Sequence, residues 1–319
     1  MNSILSDALD IRYVKLHFTV RFNEESNLPR YKTSAIRGGM GEMLLRANCI
    51  RNRECDNCDF FSECIVQRTM YSQFDNKPAF VTTGDSVGYV VECEDYHKRY
   101  NANDTLSFSL ILFGKTIVYF NQYMQALYAL GVNGIGKEHA TFQIVSVTNS
   151  KGVPILNGYD IFMEKYEVCS LRDYVEWRLG KVNHESNLEI KFPFLTSIKY
   201  EGEVIKSFSI EAIIRALKRR LYILDCFEEK NCKDAYDYSY DVPNLISEES
   251  TEDFLERYST RKDKRMRLRG IYGNVKVTAV SKDLLAILLA GEIIHIGKNT
   301  SMGFGRMTVK DIVNAHSID

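Results

Sequence analysis

A chain of 319 residues has room for two ordinary domains, each able to bury its own core. Its 45% hydrophobic and 26% charged residues, with 5 prolines, exclude a disordered or low-complexity chain. A formal net charge of −1 excludes a uniformly basic coat, so any nucleic-acid surface must gather its cations on one face. The longest apolar candidate, Leu284 to Ile296, is interrupted by Gly291, Glu292 and His295, so no membrane span is expected. Met1 to Asp10 carries acidic residues and no basic segment, which predicts a soluble cytoplasmic protein without a signal peptide.

The first predicted element is a strand over Tyr13 to Phe22. Val14, Leu16, Phe18, Val20 and Phe22 alternate with Lys15, His17, Thr19 and Arg21, so one face is apolar and the other polar. Tyr31 to Ala47 reads as a helix that contains Gly38, Gly39 and Gly41. Strands follow near Phe80 to Cys93 and Thr105 to Phe113, then a helix over Thr116 to Leu130 and a strand over Ala140 to Val147. The order is β-α-β-β-α-β. The second half repeats it, with a strand in Glu189 to Tyr200 and a helix over Ser207 to Phe227. Strands at Arg265 to Gly270 and Asn274 to Val280, a helix over Lys282 to Ala290 and a strand over Met307 to Ile312 complete it.

This pattern predicts an α+β chain of tandem ferredoxin-like (RRM-like) βαββαβ domains. The first covers residues 1–150 with a cysteine-rich insertion at about 48–66. A linker region covers 151–188. The second covers 189–319, with an acidic insertion at about 228–258.

Four of the 8 cysteines, Cys49, Cys55, Cys58 and Cys64, form a C-x5-C-x2-C-x5-C array. Four thiolates in one short loop suit a closed tetrahedral metal site, which predicts structural zinc, with an iron–sulfur centre second. A closed site of this kind would hold no catalytic metal. The other cysteines, Cys93, Cys169, Cys226 and Cys232, are scattered and read as small apolar residues.

Two glycine-rich segments follow predicted helices. Gly131 to Lys137 fits the opening of a nucleotide P-loop, but Glu138 replaces the Ser/Thr and the loop precedes a strand, which sets ATP aside. A tight turn is the plainer reading. The terminal segment, Gly297 to Arg306, is richer in donors. Glycines admit close approach of a phosphate chain, and Lys298, Asn299, Ser301 and Arg306 supply hydrogen bonds, with Gly303 and Gly305 giving the backbone its freedom. Arg265, Arg267 and Arg269 alternate on one side of a strand beside it, as phosphate contacts or as a solvated face. Arg215, Lys218, Arg219 and Arg220 read as the wet face of a helix. Among the 6 histidines, His97, His184 and His316 read as surface residues; His17 and His295 are structural candidates, and His295, beside the glycine loop, is the candidate for proton transfer.

The run from His295 to Arg306 resembles the glycine-rich loop of RAMP-superfamily proteins from CRISPR systems. Ala35 to Leu45 followed by the cysteine array resembles CRISPR precursor-RNA-processing endoribonucleases. The resemblance implies cleavage within repeat RNA without a catalytic metal. The ribose 2′-OH would attack the adjacent phosphate and leave 2′,3′-cyclic phosphate and 5′-OH ends. His295 would then serve as general acid or base, Tyr31 would position the reacting groups, and Lys32 and Arg37 would stabilise charge. Repeat RNA is the implied partner, with other CRISPR effector subunits as further partners. Relatives often carry a histidine on the first helix; none lies between Tyr31 and Ala47, where Glu42 stands instead. That keeps open a non-catalytic guide-RNA-binding subunit, and a zinc-stabilised protein scaffold is a third reading.

Overall fold

The computed structural model describes residues 7–71, 77–81, 87–158, 160–230, 240–259 and 264–312. Cys232, His316 and the basic residues Arg261 and Lys262 lie outside the described residues. The chain forms two compact units, one over Arg12–Val168 and one combining Met1–Ile11 with Cys169–Asp319.

In the first unit, β1 (Arg12–Phe22) has the expected alternation, with Val14, Leu16, Phe18, Val20 and Phe22 buried. Helix α1 (Thr33–Asn48) follows, then a short α2 (Ile65–Met70), β2 (Tyr89–Glu92) and β3 (Thr105–Phe113). Helix α3 (Phe120–Asn133), β4 (Phe142–Thr148), β5 (Pro154–Asn157) and β6 (Asp160–Ile161) complete it. The sheet order is β2-β3-β1-β4-β5-β6, with antiparallel neighbours. The central strand β1 lies between β3 and β4, and its apolar face is buried along its length. Phe18 opposes Phe108 in the register, and their rings stack at 5.0 Å. On the other face His17 meets Ser109 at 2.9 Å, and burial lowers the histidine's pKa. His17 is therefore a satisfied cross-strand residue.

Gly39 explains a glycine inside a helix. A Cβ there would lie 2.4 Å from Leu130 Cδ1, so its absence lets α1 close on α3. The Gly131 segment is the tight turn, because Gly134 caps α3 with φ +82° and Ile135 bridges Ala140.

In the second unit, α4 (Leu171–Leu179) precedes β7 (Leu188–Thr196), α5 (Ile210–Phe227), β8 (Asn244–Ser259), β9 (Lys264–Thr278), α6 (Lys282–Ile294) and β10 (Thr308–Asp311). The order is β8-β9-β7-β10. This corrects two expectations. The supposed linker at 151–188 belongs to both units: β5 and β6 extend the first sheet, and α4 packs in the second. The second half of the supposed acidic insertion is a strand, since residues 244–259 pair with 264–278. Its acids sit on an edge strand, where exposed positions need no apolar alternation.

Helix α6 is buried nearly all round, from Leu284 to Ile294. The residues that interrupt its apolar run each have a packing role. Gly291 lies where a Cβ would meet Met307 Sδ at 2.4 Å. Glu292 takes a bidentate pair from Arg178 at 2.8 and 3.0 Å, and accepts from the Tyr174 hydroxyl at 2.7 Å and the Val309 N–H at 2.8 Å. No helix among the described residues is long and apolar enough to cross a membrane.

Candidate functional site

Helix α6 ends at His295, which has φ +56° and is fully buried. Its Nδ1–H donates to the Phe304 carbonyl at 3.0 Å and closes the glycine loop across its base. A ring without solvent contact, bonded to its own loop, cannot exchange a proton with a bound strand. The structure thus corrects the assignment of proton transfer to His295 and gives it a structural role. The loop's backbone is also largely committed. Ile296 N–H donates to Gly305 O, Lys298 N–H to Ser197 O, Gly303 N–H to Thr300 O and Gly305 N–H to Leu195 O. Ser301, Gly303 and Gly305 are buried, so they shape the loop and do not present it. A Cβ at Gly305, where φ is +70°, would lie 1.7 Å from the Ile296 carbonyl oxygen. Lys298 remains exposed, with Asn299 and Arg306 half-buried.

Arg265, Arg267 and Arg269 are exposed on β9, with Met266 and Leu268 half-buried between them. Pairing of β9 with β7 spans only Ile271 to Val277, so residues 264–270 form a two-stranded arm with β8. The arm is rich in opposite charges. Glu256 faces Arg267 and pairs with it at 3.0 Å, and the Arg267 guanidinium lies 4.7 Å from the Phe254 ring centre. Both charges of that pair are exposed, so it contributes little to stability. Arg215 lies over the Tyr200 ring at 5.0 Å, on the surface of α5.

The start of α1 brings together residues that are separate in sequence. Lys32 has a fully buried side chain. Its Nζ donates to the carbonyls of Asp95 at 2.9 Å and His97 at 2.5 Å, lies 3.7 Å from Asp95 Oδ1 and sits 5.4 Å from the Tyr100 ring centre. Burial lowers its pKa, against the pull of Asp95. Lys32 therefore acts inward, fixing a loop, which corrects its assignment as a cation that meets substrate. The Asp95 carboxylate in turn accepts from the His97 backbone N–H at 2.8 Å and the His97 ring Nδ1–H at 2.9 Å. Burial alone would raise its pKa; the His97 contacts and Lys32 hold it below the usual 3.8. Tyr31 meets Tyr96 edge-on at 6.0 Å, and Arg30 lies over both rings, at 5.3 and 5.9 Å. Arg37 is half-buried on the same helix. Sequence reasoning placed His97 at the surface, where it lies, but not its pairing with Asp95, whose one local signal was the Asp-x-His spacing.

Glu42 binds Arg46 at 3.0 Å and Arg53 at 2.6 Å and ties α1 to the cysteine-rich segment. Burial raises its pKa, but the two guanidinium bonds outweigh this and leave it below its ordinary value. Cys49, Cys55, Cys58 and Cys64 are half-buried and line one cavity of about 270 Å³ with Phe60 and Phe61. Arg53 N–H donates to Cys49 Sγ at 3.2 Å, and Gln67 Nε2 to Cys55 Sγ at 3.5 Å. The number and softness of the donors fit zinc, but no three metal-ligating side chains among the described residues stand at ligand geometry.

Comparison with known proteins follows the same division of the chain. Residues 11–168 match a family model described as an N-terminal domain, and residues 190–307 match that of the CRISPR-associated endoribonuclease Cas6. A protein of Archaeoglobus fulgidus described as uncharacterized is 23% identical over 296 residues, covering 89% of this chain and 93% of the relative. A solved chain of a partial Cas6-RT-Cas1–Cas2 complex superposes with a TM-score of 0.58 at 13% identity, over 97% of this chain and 48% of that one. A chain of the Cas6-RT-Cas1–Cas2 complex gives the same TM-score and identity, over 97% of this chain and 30% of its own. This chain thus spans half or less of those solved chains, and the likeness to them is one of fold. The Cas6 match takes in β7 to β9, α6 and the whole glycine loop. Residues 190–307 are therefore similar to the Cas6 endoribonuclease family, and the chain shares the fold of the Cas6-containing chains.

Proposed function

We propose that this protein is an endoribonuclease that cuts CRISPR precursor RNA within its repeats, in two tandem ferredoxin-like domains. The ribose 2′-OH attacks the neighbouring phosphorus, the bond to the 5′-oxygen breaks, and the products carry 2′,3′-cyclic phosphate and 5′-OH ends. The observation that carries this reading is the Cas6 endoribonuclease match over residues 190–307, which ends just after the glycine loop. Lys298, Asn299 and Arg306 on that loop and Arg265, Arg267 and Arg269 on the arm hold the RNA backbone through charge and hydrogen bonds. Purified protein incubated with repeat RNA in EDTA tests it: a discrete cut is expected, and protection without cutting contradicts it.

A second reading, a guide-RNA-binding subunit that does not cut, is favoured by two observations. The α1 helix has no histidine, and His295 is sealed inside its loop. The same experiment separates the two. As for partners, the likeness to a chain solved with Cas1 and Cas2 supports association with other CRISPR subunits. Zinc, held by Cys49, Cys55, Cys58 and Cys64, would brace the segment that joins α1 to α2 and take no part in the chemistry. Elemental analysis is expected to find about one zinc per chain; a clear absence in protein purified without chelator contradicts it.

A further inference from the structure

We infer that His97 is the proton acceptor of the cleavage reaction, held by Asp95 at a nucleobase-stacking site at the start of α1. The inference rests on the endoribonuclease reading and names the group that reading lacks. Imidazole has two distinguishable nitrogens, and a carboxylate on one decides the role of the other. Here Asp95 Oδ1 lies 2.9 Å from Nδ1, so Nδ1 carries the proton and Nε2 presents a lone pair. The His97 side chain is 84% exposed, so Nε2 can reach a bound strand.

The mount beneath it is rigid. Lys32, buried among protein atoms, commits its donors to the Asp95 and His97 carbonyls and its charge to the Asp95 carboxylate. A buried ammonium is unfavourable to desolvate, and its contacts here fix the two residues on either side of Tyr96. The ring of Tyr96 is 38% exposed and, with Tyr31 and Arg30, offers aromatic and guanidinium faces on which an unpaired base can stack. A stacked base would place its ribose beside the imidazole. Nε2 takes the 2′-OH proton as the 2′-oxygen bonds to phosphorus. The 5′-oxygen leaves with the electrons of its P–O bond and takes a proton from water, and the imidazolium returns its proton to the resulting hydroxide.

Single-turnover cleavage of repeat RNA tests this with His97→Ala, with added imidazole and with Asp95→Asn. His97→Ala is expected to lose about 10²-fold or more in rate, to keep its RNA affinity, and to recover activity with imidazole. Asp95→Asn is expected to lose less, with affinity unchanged. His97→Ala cutting at the wild-type rate overturns the inference and leaves the nuclease reading intact. Loss of affinity without rescue by imidazole makes His97 a contact residue and likewise overturns it. Wild-type protein that binds but never cuts overturns both.

Discussion

Gly305 shows how closely the glycine loop is set by single residues. Its φ is positive, and an added Cβ would stand 1.7 Å from the Ile296 carbonyl oxygen, which leaves no room for a side chain. Gly305→Ala should therefore lower stability by about 2–4 kcal/mol in urea unfolding, through left-handed strain and displaced backbone; an unchanged midpoint would contradict this. Asp95 gives a pH test. Its carboxyl is held below 3.8 in the folded protein, so the unfolded chain binds the proton more readily. Its stabilising contribution is complete above 3.8 and is lost as pH falls through the lower folded value. Asp95→Asn should accordingly lower the urea midpoint at neutral pH, with the gap to wild type closing under strong acid. A gap independent of pH would show that the carboxylate charge does not matter there.

Among the elements, β1 was legible because one buried face imposes strict alternation, while β8 was not. Its exposed edge carries Glu248, Glu249, Glu252, Asp253 and Glu256, which in sequence look like a solvated excursion. Only pairing with β9 reveals the strand. The helix glycines were visible as anomalies, but their cause, the approach of Leu130 to Gly39, depends on a residue some ninety positions away. The same holds for the candidate site. Its glycine loop and arginines could be read from local pattern, whereas the Lys32 contacts to the Asp95 and His97 carbonyls depend on the fold. The arm and α4 can each be tested. Changing Arg265, Arg267 and Arg269 together to Gln should flatten the salt dependence of RNA binding by a slope of about 2, if all three meet phosphates of a single strand. An unchanged slope would leave them as a solvated face. Arg178→Met should strand the largely buried Glu292 carboxylate and cost roughly 3 kcal/mol in unfolding, with α4 loosened first. Wild-type stability would show that the pair is not needed.

Across the whole chain, one β-α-β-β-α-β order is used twice for different purposes. The first unit elaborates it with the cysteine-rich segment and the Lys32-braced loop, the second with a long arm and a glycine loop closed by its own histidine. The division after Val168 falls inside the 151–188 region read as a linker, and it could not be placed more closely from sequence because α4, only nine residues long, carries a weak apolar stripe and its Glu292 partner lies in α6. The proposed activity depends above all on attack by a ribose 2′-OH on its own phosphate. A repeat RNA with one 2′-deoxy substitution at the mapped cleavage position, compared with the all-ribose strand, tests this step without intermediaries. The substituted RNA is expected to bind equally well and to remain uncut, while the all-ribose strand yields 2′,3′-cyclic phosphate and 5′-OH ends. Cutting of the deoxy strand at the same position, or products with 5′-phosphate ends, would contradict that chemistry.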